Sequence, residues 1–61
     1  MIIEENVWLG AGVIVLKGVI IGKNSIIAAG SVVISDIPAN VLAAGSPARV
    51  IKKIEGNIDQ E

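Results

Sequence analysis

Large aliphatic residues recur along this chain every six positions, at Ile3, Leu9, Val15, Ile21, Ile27 and Val33. Another apolar side chain stands immediately before each: Ile2, Trp8, Ile14, Ile20, Ile26 and Val32. Three residues after each comes Asn6, Gly12, Gly18, Asn24, Gly30 or Asp36. These belong to the few residue types that accept a left-handed backbone at low cost. An amphipathic helix needs apolar positions at spacings of three and four, so this period is wrong for one. It is right for short strands separated by corners, because six is a multiple of the strand's two-residue alternation. Val and Ile supply 20 of the 61 residues, and β-branched side chains favour extended backbone. An antiparallel sheet of short strands is the alternative. It has no need of a turn-tolerant residue at every sixth position.

Each hexapeptide is therefore read as a short strand plus a corner. Three corners close a triangle, so one coil takes 18 residues and the fold class is an all-β parallel β-helix. Residues 18 apart should stack: Ile3 on Ile21, Leu9 on Ile27, Val15 on Val33. A second inward set should stack Val7 on Ser25, Val13 on Ser31 and Val19 on Ile37. Parallel pairing with the coils above and below would satisfy the backbone groups. Spacing does not set the hand of the coil, and parallel crossovers are in general right-handed.

About two coils, residues 1–38, are legible before the register fails after Val33. There Ile34 replaces the small residue found at Gly22 and Ala28, and Pro38 removes a ladder donor. Residues 39–55 read as a turn-and-strand extension, with turns at Pro38-Ala39-Asn40 and Gly45-Ser46-Pro47. The last segment, 48–54, reads as a strand because Val50 and Ile51 are β-branched, with a short helix opened by Pro47 as its rival. Residues 56–61 read as a polar tail. Two coils are few for a solenoid, whose repeats are stabilised only by their neighbours. The first coil also begins without a polar cap, leaving an apolar edge open. More coils ahead of residue 1, or a second subunit over the open end, are expected.

Composition narrows the chemistry. With 52% hydrophobic residues the chain is not a disordered tail. A net charge of −1 argues against general nucleic-acid or membrane-surface binding. No basic segment precedes an apolar core as in a signal peptide, and the uncharged run from Lys23 to Asp36 is too short for a membrane-spanning helix. A cytoplasmic location is the expectation. Cys and His are both absent, which removes disulfides, the commonest metal ligands and the commonest general base. The Gly10-Ala11-Gly12 run lacks the third glycine of a dinucleotide fingerprint, since Val15 holds its place. Gly22-Lys23-Asn24-Ser25 likewise lacks the glycine-rich loop of a phosphate-binding P-loop. Three of the five basic residues, Arg49, Lys52 and Lys53, fall within five positions and are either an anion site or a solvated basic end.

The runs Val7-Trp8-Leu9-Gly10-Ala11-Gly12, Gly18-Val19-Ile20-Ile21-Gly22-Lys23-Asn24-Ser25 and Ala28-Ala29-Gly30-Ser31-Val32-Val33 resemble hexapeptide-repeat acyltransferases. The ending, from Asp36-Ile37-Pro38-Ala39-Asn40-Val41 to Ala44-Gly45-Ser46-Pro47-Ala48-Arg49-Val50-Ile51, is similar to the C-terminal part of maltose, galactoside, serine and polysaccharide acetyltransferases. The resemblance implies a left-handed β-helix, a homotrimer, and acetyl-CoA as cosubstrate in a groove between neighbouring prisms. It places backbone contacts to the pantetheine arm at Gly10, Ala11, Ala28 and Ala29, and contacts near the adenine at Ile34, Ser35 and Pro47. At Ile34 and Ser35 this chain departs from the Thr and Lys common in the family. Arg49, Lys52 and Lys53 would hold the phosphates. Trp8 is expected to point outward at a corner, lining the acyl-CoA or acceptor groove or packing in a subunit contact. A small acceptor such as a sugar is implied. The family's general base is a His in coils ahead of this region. Asp36, Glu4 and Glu5 are poorly placed to replace it, so this chain alone should not catalyse acyl transfer. A non-catalytic β-helical assembly module, or a gene remnant, is the competing reading. The carbonic anhydrases that share this fold need zinc-binding histidines and are not supported.

Overall fold

The apolar pairs of the repeat become two-residue strands: β1 Ile2–Ile3, β2 Trp8–Leu9, β3 Ile14–Val15, β4 Ile20–Ile21, β5 Ile26–Ile27 and β6 Val32–Val33. Two longer strands follow, β7 Val41–Gly45 and β8 Ala48–Lys53. The structure, a computed structural model, describes residues 1–54, so the tail expected at 56–61 lies outside the described residues. β1 pairs with β4, β2 with β5 and β3 with β6, all parallel and all at the expected offset, as in Leu9 opposite Ile27. In each pair the first residue faces out and the second faces in. Ile20 is 39% exposed, whereas Ile21 is fully buried. The inward column of Ile21, Ile27 and Val33, with Val19, Ile37, Val41 and Ala43, makes the core. Val7, Val13 and Val15 of the first coil are partly buried against it.

The corners use the left-handed backbone that the pattern called for. Asn6, Gly12, Gly18, Asn24 and Gly30 have φ of 59°, 72°, 83°, 63° and 74°. Asp36 is the exception, and its reason lies in the third layer. There the repeat is two residues shorter: Ile37 bridges Ile21, and β7 lies parallel on β5 with Ala43 opposite Ile27. Shortening the corner leaves no main-chain carbonyl for the Ile20 amide, which donates instead to Asp36 Oδ1 at 2.9 Å. Asp36 is thus an acceptor and not a left-handed corner. The expected stacking of Val19 on Ile37 is corrected for the same cause: Ile37 lies over Ile21.

Asn40 takes the left-handed corner of the third layer, with φ 60°. The Asn6 Nδ2 group donates to Asn24 Oδ1 at 2.8 Å, and Asn24 Nδ2 donates to Asn40 Oδ1 at 3.0 Å. This asparagine ladder ties all three layers along one edge of the prism. Asn24→Ala removes both of its bonds, each contributing about 1 kcal/mol net. It also places a side chain in a conformation that costs an L-residue about 1–2 kcal/mol. A loss of about 3–4 kcal/mol in urea unfolding is expected, and Asn24→Gly, which relieves the strain, should recover about 1–2 kcal/mol of it.

After β7 the chain turns through Gly45, at φ 108°, and β8 returns antiparallel on β7 with an irregularity between Leu42 and Ala43. Residues 48–53 are therefore strand, and the helical alternative is set aside. The sheet that carries this end has the order β2-β5-β7-β8. β7, placed in the extension by sequence, shares that sheet with the coils. Residue 38 thus marks a change of register within one stack.

Candidate functional site

Small residues stack along the corner that follows β2 and β5. Gly10-Ala11-Gly12 lies under Ala28-Ala29-Gly30, and Ala44-Gly45 at the end of β7 forms the next rung. The rungs are joined by main-chain hydrogen bonds: Gly10 N to Ile27 O at 2.8 Å, Gly30 N to Ala11 O at 2.9 Å and Ala28 N to Ala43 O at 3.0 Å. At Gly10 the approach is so close that a Cβ would lie 2.5 Å from the Ala29 nitrogen. Glycine is needed there to let two coils meet. On the outer side the corner is open: Ala11, Gly12, Ala29 and Gly30 are exposed, and a Cβ at Gly12 or Gly30 would meet nothing within 4 Å.

The two lower rungs differ in one useful respect. The Ala11 carbonyl is occupied by the Gly30 amide, whereas the Ala29 carbonyl receives no main-chain hydrogen bond among the described residues. The shorter third layer makes Ser46 the counterpart of Gly30, but the chain leaves the stack here and no main-chain hydrogen bond joins the Ser46 amide to the Ala29 carbonyl. An exposed, unused acceptor on a corner without bulky side chains can take an amide donor from an extended ligand.

Charge reaches this corner from β8. Arg49 is paired with Ala44, and Pro47 lies in the connecting turn. Lys52 and Lys53 are paired with Leu42 and Val41, at the far end of β8 and beside the Asn40 corner. No acidic residue occurs in β7 or β8. Gly10, Ala11, Ala28, Ala29, Pro47 and Arg49 are thus brought to one corner, while the two lysines extend the positive strip away from it. Ile34 and Ser35 belong to a different column, the corner after β6 that lies above Leu16 and Lys17. Trp8 points outward as expected, from a strand and not from a corner. It is 69% exposed, at the foot of a column formed by Trp8, Ile26, Leu42 and Lys52.

Three contributors escaped the sequence reading. Ala44 and Gly45 form the third rung, and Ser31 lies buried behind it. The repeated small pair, Ala28-Ala29 then Ala44-Gly45 sixteen residues on, was the available signal, but an 18-residue register conceals it. Among the described residues no cluster of three or more His, Cys, Asp or Glu side chains could hold a metal ion, and no helix is long and apolar enough to cross a membrane.

The family model described as bacterial transferase hexapeptide (six repeats) matches residues 1–35. This chain belongs to that family. A galactoside O-acetyltransferase of Lactococcus lactis is 71% identical over 52 residues, covering 85% of this chain and 25% of the relative. A 2,3,4,5-tetrahydropyridine-2,6-dicarboxylate N-acetyltransferase of Clostridium perfringens is 54% identical over 54 residues, covering 88% of this chain and 23% of the relative. Among solved structures, a galactoside acetyltransferase in complex with coenzyme A superimposes with a TM-score of 0.87 at 56% identity, covering 88% of this chain and 27% of that one. The chain spans about a quarter of the length of these relatives. As a hexapeptide-repeat protein it has the left-handed parallel β-helix of the acetyltransferases, so the expectation taken from resemblance holds over the usual right-handed crossover.

Proposed function

We propose that these residues form the cosubstrate-binding end of an acetyl-CoA-dependent acetyltransferase that acts as a homotrimer in the cytoplasm on a small acceptor, a sugar hydroxyl by preference. The observation that carries this reading is the open corner of Gly10-Ala11, Ala28-Ala29 and Ala44-Gly45 with Arg49 in register at its upper end. Pantetheine is an extended arm with two amides. It needs main-chain partners and freedom from side chains, which the exposed Ala29 carbonyl supplies. The phosphates of CoA need cations, and Arg49 presents a planar fork suited to them, with Lys52 and Lys53 further along β8. Relatives with sugar and amine acceptors support acetyl transfer as the reaction class, and the galactoside relatives support the sugar. In a trimer, Ile34 and Ser35 on the corner after β6 would face a groove from the neighbouring prism, with Pro47 near the adenine and Trp8 beside the reacting end. An acceptor oxygen would attack the thioester carbonyl carbon while its proton goes to a base, the C–S bond would break, and CoA would leave as the thiol once its sulfur regains a proton. Since these 61 residues contain no His, that base is assigned to residues outside them.

The test is a titration with CoA and dephospho-CoA. Loss of the 3′-phosphate should weaken binding about tenfold, the worth of one charge-assisted hydrogen bond. Arg49→Ala should abolish most of that difference. Equal binding of both ligands by the parent, or none, would sink the proposal in favour of an assembly module.

A further inference from the structure

Two serines occupy the inner wall of the second coil where the first coil has valine: Ser25 above Val7 and Ser31 above Val13. Both are essentially fully buried. Small size would suffice to explain them as packing, but their hydroxyls are engaged. The Ser31 hydroxyl donates to the Ala28 carbonyl at 2.7 Å and accepts from the Gly45 amide at 3.1 Å. The Ser25 hydroxyl donates to the Pro38 carbonyl at 2.7 Å, and the Val41 amide approaches it at 3.4 Å. β7 is therefore held at both ends from inside the prism, at Val41 by Ser25 and at Gly45 by Ser31. A valine could do neither.

The two ends of β7 differ in what they carry. Val41 adjoins the asparagine ladder, whereas Ala44 and Gly45 are the upper rung of the open corner and set the place of Arg49. Ser31 joins that rung to the Ala28-Ala29 rung through a single side chain. Gly45, at φ 108°, has the conformational freedom of glycine in a region other residues avoid, so its amide needs an external tie to hold one position. We propose that Ser31 is a positioning residue for the cosubstrate: its buried hydroxyl fixes the Gly45 amide, and through it the upper rung and Arg49, in the geometry that receives CoA. This rests on the acetyl-CoA reading above.

Valine and threonine have nearly the same shape, so comparing Ser31→Thr with Ser31→Val isolates the hydroxyl from any crowding both introduce. The same pair at Ser25 serves as the control, because it has equal burial and chemistry at the end of β7 away from the corner. In the full chain, Ser31→Val should bind CoA about tenfold more weakly than Ser31→Thr, with the preference for CoA over dephospho-CoA reduced. Ser25→Val and Ser25→Thr should differ in melting temperature but by less than about twofold in CoA affinity. If activity can be followed, the Ser31 pair should differ in KM for acetyl-CoA and not in KM for the acceptor. Equal CoA affinities for the Ser31 pair, or the same ratio at Ser25 as at Ser31, would overturn the inference and leave both serines with a packing role. Should both larger side chains prevent folding, Ser31→Ala against Ser25→Ala gives the same comparison without added volume. A parent chain that binds no CoA refutes the functional reading and this inference with it. A parent that binds while the Ser31 pair does not differ refutes this inference alone.

Discussion

Replacing Gly22 by alanine should cost at least about 3 kcal/mol, the upper end of what overpacking a tight interior causes. A Cβ at this position would lie 2.4 Å from the Ala39 nitrogen and 2.7 Å from both the Ala39 Cα and the Pro38 carbonyl carbon. All three are main-chain atoms, so no side chain can rotate away. Relief requires the third layer to rise from the second. That would stretch the hydrogen bond from Gly22 N to Ile37 O, 2.8 Å long, and open the bridge between Ile21 and Ile37. Ile37, Val41 and Ala43, all buried, would be exposed in turn. Gly12 provides the contrast. It needs its left-handed φ of 72° but has open space around it, so Gly12→Ala should cost only the about 1–2 kcal/mol of backbone strain. Gly12→Asn should cost less, as Asn6 and Asn24 adopt that conformation at another corner. Urea unfolding of the three variants checks the order. A Gly22→Ala protein as stable as Gly12→Asn would show that the layers do not meet as described.

The first two coils were legible because every level of their sequence agrees. The apolar pair, the β-branched side chains and the turn-tolerant residue each report the same period, and the strands fall on the predicted pairs. The third layer was hidden by a change too small to disturb composition. A corner shortened by two residues moves Ala43 over Ile27 and brings Asn40, not Asp36, to the left-handed position. Asp and Asn look alike to a reading based on backbone tolerance. The side-chain oxygen of either can accept a hydrogen bond, so nothing in the residue type marked Asp36 as the acceptor for the Ile20 amide. Ser25 and Ser31 were legible as small inner residues but not as hydrogen-bonding ones, because their partners at Pro38, Val41 and Gly45 arrive only when the short layer is in place. Part of the site was legible for a similar reason. The Gly-Ala and Ala-Ala corners repeat at 18 residues and stack as expected, whereas their third rung at Ala44-Gly45 does not obey that spacing. Lys52 and Lys53 are near Arg49 in sequence, yet an antiparallel strand carries them along the sheet and away from the corner.

The largest expected effect on binding comes from Ala29→Leu. Ala29 is exposed, and its side chain belongs to the outer surface of the corner, so a larger group there should leave the stack intact. Surface substitutions of this kind usually change stability by less than about 0.5 kcal/mol. The new isobutyl group would stand beside the Ala29 carbonyl, the acceptor left without a main-chain donor among the described residues. An extended arm could then no longer lie against the corner between the Ala28-Ala29 and Ala44-Gly45 rungs. Loss of one hydrogen bond, about 1 kcal/mol, together with lost packing along the arm, gives an expected fall in CoA affinity of about 100-fold. Ala29→Gly, which leaves the corner open, should bind within a few-fold of the parent. Isothermal titration with CoA and with pantetheine, alongside thermal melts, separates the possibilities. Because the proposed contact concerns the arm and not the phosphates, Ala29→Leu should weaken both ligands alike, whereas Arg49→Ala should weaken CoA more than pantetheine. Undiminished CoA binding by a folded Ala29→Leu protein would move the cosubstrate off this corner. The column of outward residues that starts at Trp8 would then be the next surface to test.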